Sequence, residues 1–313
     1  MGTTTEKSKF VASVEYSKSN EQLSVDRERS RPLGSSVSQT SNPGTFLTAT
    51  KLPAGQTALR WSLVPGNTLG LTSASQVPAG FNPIASVAGG TAARNAKEAE
   101  LNAALPANSP VRYGNTPSLL PGVDPGFPFG MYTLGYRPHE KYAGYFSGEH
   151  QIFDDHLVAF VNGYYAANSS QNVLAPSPLS GFVAPPTNYW YKTLFPDAAA
   201  TGQPISVRYR PVEAGPRITY TDFENIHLVA GLKGRIAEST WHWETSFLYD
   251  RTEIDDVQTG GILTDKYQEL LNGTTADTAW DPFGYTPIGG KSTVNPQSMV
   301  DSITGKATSK EVD

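Results

Sequence analysis

Residues 221–252 constrain this chain more than any other stretch, because their polarity alternates twice around a short polar break. In the first run Ile226, Leu228, Ala230, Leu232 and Ile236 fall on one face, with Asn225, His227, Lys233 and Arg235 on the other. In the second, Trp241, Trp243, Thr245, Phe247 and Tyr249 share a face opposite His242, Glu244, Ser246 and Asp250. A period of two means β-strand, because successive side chains point to opposite sides. Residues 237–240 are polar and short, so the runs form a tight hairpin. Each run is about ten residues, longer than the ~5–6 of an ordinary strand and close to the ~9–11 that cross a bilayer. Pairing about Glu238 and Ser239 sets Lys233 opposite Glu244 and His227 opposite Asp250, as cross-strand ion pairs.

The two faces suit different solvents. One carries aliphatic residues in its middle and aromatics towards its ends, which fits a lipid-facing girdle of Trp241, Trp243, Phe247 and Tyr249. The other, with His227, Lys233, Arg235, Glu244 and Asp250, fits a polar barrel lumen. This favours an all-β, antiparallel transmembrane barrel segment over a soluble β-sheet. Composition narrows the choice further. No apolar run approaches the ~18 residues of a membrane helix, and MGTTTEKSK has no signal-peptide core. Glu6 breaks the acylation pattern that Gly2 begins. The chain has no cysteine, hence no disulfide framework or thiolate metal site. A net charge of −5 argues against nucleic acid as a partner.

Further along, Lys9 to Ser17 alternates as another strand, with Phe10, Ala12, Val14 and Tyr16 on one side. Arg27, Glu28, Arg29 and Arg31 read as a solvated run. Residues 32–138 are rich in Gly, Pro, Ser and Ala and read as a long external loop with one short helix near 92–105. That helix would turn Ala96, Ala99 and Leu101 to one side. The repeated Pro-Gly pairs of 119–136 read as successive turns. A second hairpin spans about 141–167, turning at Asp154, Asp155 and His156. Its second strand shows Leu157, Ala159, Val161, Gly163 and Tyr165 on one face, while the faces of its first cannot be assigned. Residues 205–210 form a short strand, 260–273 a short helix, and 306–313 the approach to a further strand. The total is about six or seven strands.

Catalytic patterns fail on spacing. Gly289, Gly290, Lys291 and Ser292 end like a phosphate-binding loop, but Tyr285 stands where its first glycine belongs and Gly284 is one place early. Ser147 and Gly148 miss the nucleophile-elbow spacing. No two histidines have the zinc-helix spacing. His150 and His156 fit the polar ends of a hairpin better than a metal site. Asp154, Asp155, Asp255 and Asp256 lack a calcium-loop pattern. No catalytic residue, metal or cofactor is assigned, and the chain reads as non-enzymatic. Tyr189, Trp190, Tyr191 and Trp280 are the candidates for stacking on a ligand from the loops, with loop packing the favoured alternative.

Several segments carry a resemblance in their order: 144–165 with the following Asn168–Leu179 region, Gly215-Pro216-Arg217, 223–234, 241–252, the helical stretch 260–271, and Asp281-Pro282-Phe283-Gly284. Together with the early strand at 9–31, they resemble the middle of the barrel of TonB-dependent outer-membrane receptors, over about half the chain. The resemblance implies a barrel of about 22 strands around a plug. It also implies a Gram-negative outer-membrane location and uptake of a scarce nutrient (iron chelate, vitamin or glycan) energised by the TonB complex through the plug. The partners would be outer-membrane lipid, TonB and a small-molecule or glycan ligand. Against that pattern, 1–313 lacks a plug, a TonB-box region and a C-terminal aromatic strand, and six or seven strands are too few to close. The expectation is therefore a fragment of a longer receptor. A passive porin-type channel and a secreted carbohydrate-binding β-protein are the alternatives.

Overall fold

The computed structural model describes residues 1–26, 37–64, 70–117, 126–284, 286 and 294–313. The Arg27 to Arg31 run, residues 119–125 of the Pro-Gly stretch and the Gly289 to Ser292 sequence lie outside them.

The alternating runs pair into one antiparallel sheet of seven strands. In chain order these are β1 (Gly2–Thr4), β2 (Ser8–Ser19), β3 (His139–Phe153), β4 (Leu157–Leu174), β5 (Arg217–Arg235), β6 (His242–Ile262) and β7 (Thr304–Val312). Each strand lies beside its neighbours in sequence, so the sheet is an up-and-down meander. The expected register of the 221–252 hairpin holds, with Lys233 opposite Glu244 and His227 opposite Asp250.

β5 and β6 run well past the expected ten residues, to 19 and 21. The extra length mixes Ile218, Tyr220, Phe223, Ile254 and Val257 with polar residues and sets Asp222 opposite Asp255 and Glu224 opposite Glu253. Like charges directly opposite would be destabilising alone. Here Lys310 reaches both Glu253 and Asp255, Tyr165 Oη donates to Glu224 at 2.8 Å, and Ser169 Oγ donates to Asp222 at 2.6 Å. Two glycines admit aromatic rings over the backbone. Phe146 covers its cross-strand partner Gly163 and Phe160 covers Gly231, where a Cβ would stand 2.7 Å from either ring.

The three connections β1–β2, β3–β4 and β5–β6 are short and lie at one end, with Asp154 and Ala237 in left-handed conformation at two of them. The connections β2–β3, β4–β5 and β6–β7 are long and leave from the other end. The stretch 32–138 is not the structureless loop its composition suggests. With the other two long connections it builds a cap around its own sheet, in the strand order Leu179–Ala184, Ile205–Tyr209, Thr45–Thr48, Trp61–Leu63, Val111–Tyr113. Ile205, Val207 and Tyr209 are buried in this cap, so the strand expected at 205–210 belongs here and not to the large sheet.

Nearly all fully buried apolar side chains lie in the cap. Trp61 is its hub, stacked on Phe283 at 6.0 Å, against Phe46 at 4.5 Å and Phe195 at 5.2 Å. Helices close around it, among them α1 (Thr91–Ala104), α2 (Tyr189–Leu194), α3 (Thr264–Leu271) and α4 (Gln297–Ile303), with the short helical turn Pro196–Ala200 directly after α2. α3 buries Tyr267 and Leu271, as its spacing implies. α1 lies where expected, and of its expected packing residues Leu101 meets the core while Ala96 and Ala99 are exposed. Its buried residue is Glu98, bound to Arg60 at 2.7 Å. Arg60 also donates its backbone N–H to Glu98 at 2.8 Å, so the helix is held by charge-assisted hydrogen bonds beside the Leu101 contact.

Trp61→Ala removes the hub of this core and is expected to cost the cap about 3–5 kcal/mol. Urea unfolding followed by near-ultraviolet circular dichroism measures it. A loss below about 1 kcal/mol would mean that the cap does not depend on this packing.

Candidate functional site

The seven strands present two faces of opposite chemistry. Side chains paired across strands share a face, so the register assigns every position. Ile226, Leu228, Ala230 and Leu232 of β5 share one face with Trp243, Phe247 and Tyr249 of β6. Trp241 lies outside the strand, 73 % exposed in the turn, where its carbonyl accepts from Ile236 N at 3.0 Å. β3, whose faces the sequence leaves open, contributes Tyr142, Phe146 and the gaps at Gly144 and Gly148 to the same face. Those two glycines hide the period. The band stays uncovered, with Val14 92 % and Phe247 67 % exposed.

A row of tyrosines that sequence reasoning missed bounds this band on the cap side. Tyr16 and Tyr142 stand opposite each other with rings 5.0 Å apart, and both hydroxyls donate to Glu140, at 3.1 and 2.7 Å. Tyr165 directs its hydroxyl to Glu224. Each ring lies in the apolar band while its hydroxyl points to carboxylates beyond it, as amphipathic aromatics do at an apolar–polar boundary.

The other face is polar and internally paired. His227 Nδ1 lies 3.2 Å from Asp250 Oδ2, the expected pair. Lys233 stands opposite Glu244 but does not bond it. Its ammonium crosses the Phe160 ring, 5.4 Å from the centroid, to reach Glu149 on β3. The bare backbone of Gly231 lets the Phe160 ring lie flat enough for that reach. Arg235 holds Asp155 through Nε at 2.8 Å and Nη2 at 3.3 Å, which ties the β3–β4 turn to β5. Glu244 faces the same side without a role in these pairs.

The aromatics expected in the loops divide. Tyr191 and Trp280 are fully buried, so they are core residues with no ring face open to a ligand. Asn188 caps α2 by accepting from Tyr191 N at 2.9 Å, and this turns Tyr191 inward. Trp190 is half-buried and donates from Nε1 to the Ala279 carbonyl at 3.0 Å. Tyr189 packs edge-on against it at 5.1 Å. These four do not form a stacking platform.

The three long connections meet at one buried polar node. Asn42 donates through Nδ2 to Tyr209 Oη at 3.1 Å, the Arg210 carbonyl at 3.0 Å and Glu213 Oε2 at 3.3 Å, while its Oδ1 accepts from Thr286 N at 2.9 Å. Tyr209 Oη donates to Glu213 Oε1 at 2.8 Å. Burial pushes the Glu213 carboxyl up to about 7. Nearby Asp281 accepts from Phe283 N at 2.8 Å, and burial pushes it to about 7 as well. Both groups prefer to be protonated in the folded cap. A cleft of about 720 Å3 opens where the cap meets the sheet, lined by Lys18, His139, Glu140, Ser170, Tyr220 and Asp222. Among the described residues no cluster of three metal-ligating side chains occurs.

A scan of protein-family models and searches of curated proteins and of solved structures find no match to this chain.

The raised carboxyls set a pH dependence. Folded Asp281 and Glu213 hold their protons up to about pH 7, whereas unfolded carboxyls release theirs near pH 4. The folded cap thus binds more protons in that window, and its stability falls as pH rises through it. Above pH 7 the loss is complete, of order 4 kcal/mol for the enclosed Asp281. Urea midpoints of the cap are expected to be higher at pH 5 than at pH 8, and Asp281→Asn should flatten the difference. A cap more stable at pH 8 would reverse the assignment.

Proposed function

We propose that this chain forms part of the wall and outer cap of a transmembrane β-barrel receptor, of the TonB-dependent kind that the sequence resembles, and takes up a scarce nutrient across a Gram-negative outer membrane. The observation that carries this reading is the slant of the apolar band. In β2 the band runs from Phe10 to Tyr16; in β6 it runs from Trp243 to Tyr249. The hydrogen-bonded row through Tyr16 passes Tyr142, Ala167 and Glu224 and reaches β6 at Glu253, four residues beyond Tyr249. The row through Phe10 passes Gly148, Val161 and Ala230 and reaches β6 at Phe247, four residues beyond Trp243.

Between β2 and β6 both edges therefore drop by four residues over four strands crossed, an average of one per strand. A rise of about 3.3 Å per residue against about 4.8 Å between strands inclines the band by about 35° to the rows. Barrel strands tilt by ~35–45°, and a horizontal lipid layer marks such strands with this slant. The band spans about 20 Å along β2 and β6 and about 26 Å along β4 from Leu157 to Tyr165, or about 16 to 21 Å along the normal at that tilt, against the ~25 Å of an outer-membrane apolar band.

Three further features support the reading. Short turns at one end and long connections at the other are the barrel pattern. The tyrosines on the cap side match an interfacial girdle. Neither face carries a second sheet among the described residues, which a secreted sandwich would need. The packed cap favours a receptor over a passive channel, because it offers a shaped surface where a porin keeps an open mouth.

Leu228→Arg on the band should lower stability in lipid vesicles by about 2–4 kcal/mol. Val229→Arg, one residue on and facing the polar side, should cost far less. Urea titration in dilauroyl-phosphatidylcholine vesicles, read by tryptophan fluorescence, compares them. Equal penalties would reject the assignment of faces.

A further inference from the structure

The cap sheet has a second face, turned away from its aromatic core. Phe46, Trp61 and Val207 stand in one row and point into the core. Their neighbours Arg208, Thr45, Ser62 and Arg112 form the next row and point the other way. Arg60, two residues before Ser62, extends this face. Its carbonyl accepts from Gly114 N at 2.7 Å, which carries the ladder one step beyond the Trp61–Tyr113 pair. Helix α1 brings Arg94 and Glu98 against Arg60 here.

The charges in this layer do not balance. Glu98 is 4 % exposed and accepts from Arg60 Nε at 3.1 Å and Nη2 at 2.7 Å, so its carboxylate is committed to a two-pronged pair. Arg94 approaches the same carboxylate only to 3.8 Å, outside hydrogen-bond reach. Arg208 and Arg112 have no acidic partner among the described residues. Burial and then the Arg60 charge hold the Arg94 guanidinium below the usual arginine range; Glu98 pulls it up and Arg208 pushes it down again. Three guanidiniums within electrostatic reach thus share one carboxylate, which leaves two positive charges in excess.

The layer is also short of an acceptor. Arg94 Nε is enclosed without a partner, and so is the hydroxyl of the fully buried Ser62. Buried donors are nearly always paired. The Arg94 side chain keeps 20 % of its surface exposed and Arg208 is half-buried, so an anion can reach both from solvent. Guanidinium forks match phosphate oxygens two at a time. A phosphate dianion would neutralise the excess of two, whereas a carboxylate would neutralise half of it.

We infer that this face of the cap binds a phosphate dianion between Arg94 and Arg208, beside the Arg60–Glu98 pair. The site stands on the cap alone and does not depend on whether the large sheet faces lipid.

The test uses the whole chain in detergent micelles at pH 8, where inorganic phosphate is mainly the dianion. Calorimetric titrations compare inorganic phosphate, methyl phosphate and acetate at matched ionic strength. One phosphate per chain is expected, with acetate at least about tenfold weaker. Arg208→Gln should weaken phosphate about tenfold, and Arg208→Lys should recover part of that loss. The Arg208 side chain makes no hydrogen bond within the described residues, so its replacement leaves the cap intact. Lys97→Gln, on α1 but paired with Glu100, should stay within about twofold. Phosphate should also raise the urea midpoint of the cap, and do so less in Arg208→Gln. Methyl phosphate bound as tightly as the free ion identifies a phosphate monoester as the ligand class, and its exclusion identifies the ion itself. The site is overturned if phosphate neither binds nor raises the urea midpoint. Acetate bound as tightly as phosphate, or an affinity unchanged in Arg208→Gln, overturns it equally.

Discussion

Everything in this protein depends on an antiparallel sheet neither of whose faces carries a second sheet among the described residues. Backbone hydrogen bonds join seven strands into a continuous surface, yet the large side chains of the apolar band remain exposed. In water that arrangement forfeits the main driving force of folding, since apolar area is stabilising only once removed from solvent. The opposite face needs less, because Lys141, Lys233, Arg235 and His227 find acidic partners across one or two strands. The asymmetry of the faces, and the slant of the band across them, are the features on which the proposed lipid-facing wall rests.

The cap solves a different problem. Three connections separated by long stretches of sheet must be held together in water, and they do so by ordinary core formation. Trp61, Phe46, Phe195 and Phe283 come from all three and meet in one aromatic cluster. The same three connections also meet at Asn42, Glu213 and Thr286, where every group is bound to its neighbours. Such a node specifies one arrangement of the connections, at the cost of enclosing a carboxyl that resists ionisation. The connections consequently behave as one body above the sheet, and a ligand would meet a preassembled surface.

Legibility in the sequence followed the range of the interactions. The β5–β6 register was readable because alternation and a short turn specify it within about thirty residues. The pairing of Lys233 was not, because its partner Glu149 lies two strands away and is reached over the Phe160 ring. The tyrosine row at 16, 142 and 165 was hidden for the same reason: each member is one aromatic among many until the strands align. Residues 32–138 looked like a loop because Phe46, Trp61 and Tyr113 stand singly among glycines and prolines, with no period to betray a core. α1 was recognisable by composition and Leu101 by its place on it, but the burial of Glu98 was not, since its partner Arg60 lies far away in the sequence.

The sequence by itself determined the strands, the short turns, the two opposed faces and the absence of any helix long and apolar enough to cross a membrane. These are properties of period and composition, and they act over neighbouring residues. Tertiary structure alone decided that the long connections fold into one cap and that Tyr191 and Trp280 lie inside it. It also decided that Arg60, Arg94 and Arg208 crowd around one carboxylate. Those outcomes arise from contacts between residues tens to hundreds of positions apart. Such contacts form only when the backbone ladder brings distant segments into register, and no local pattern encodes them.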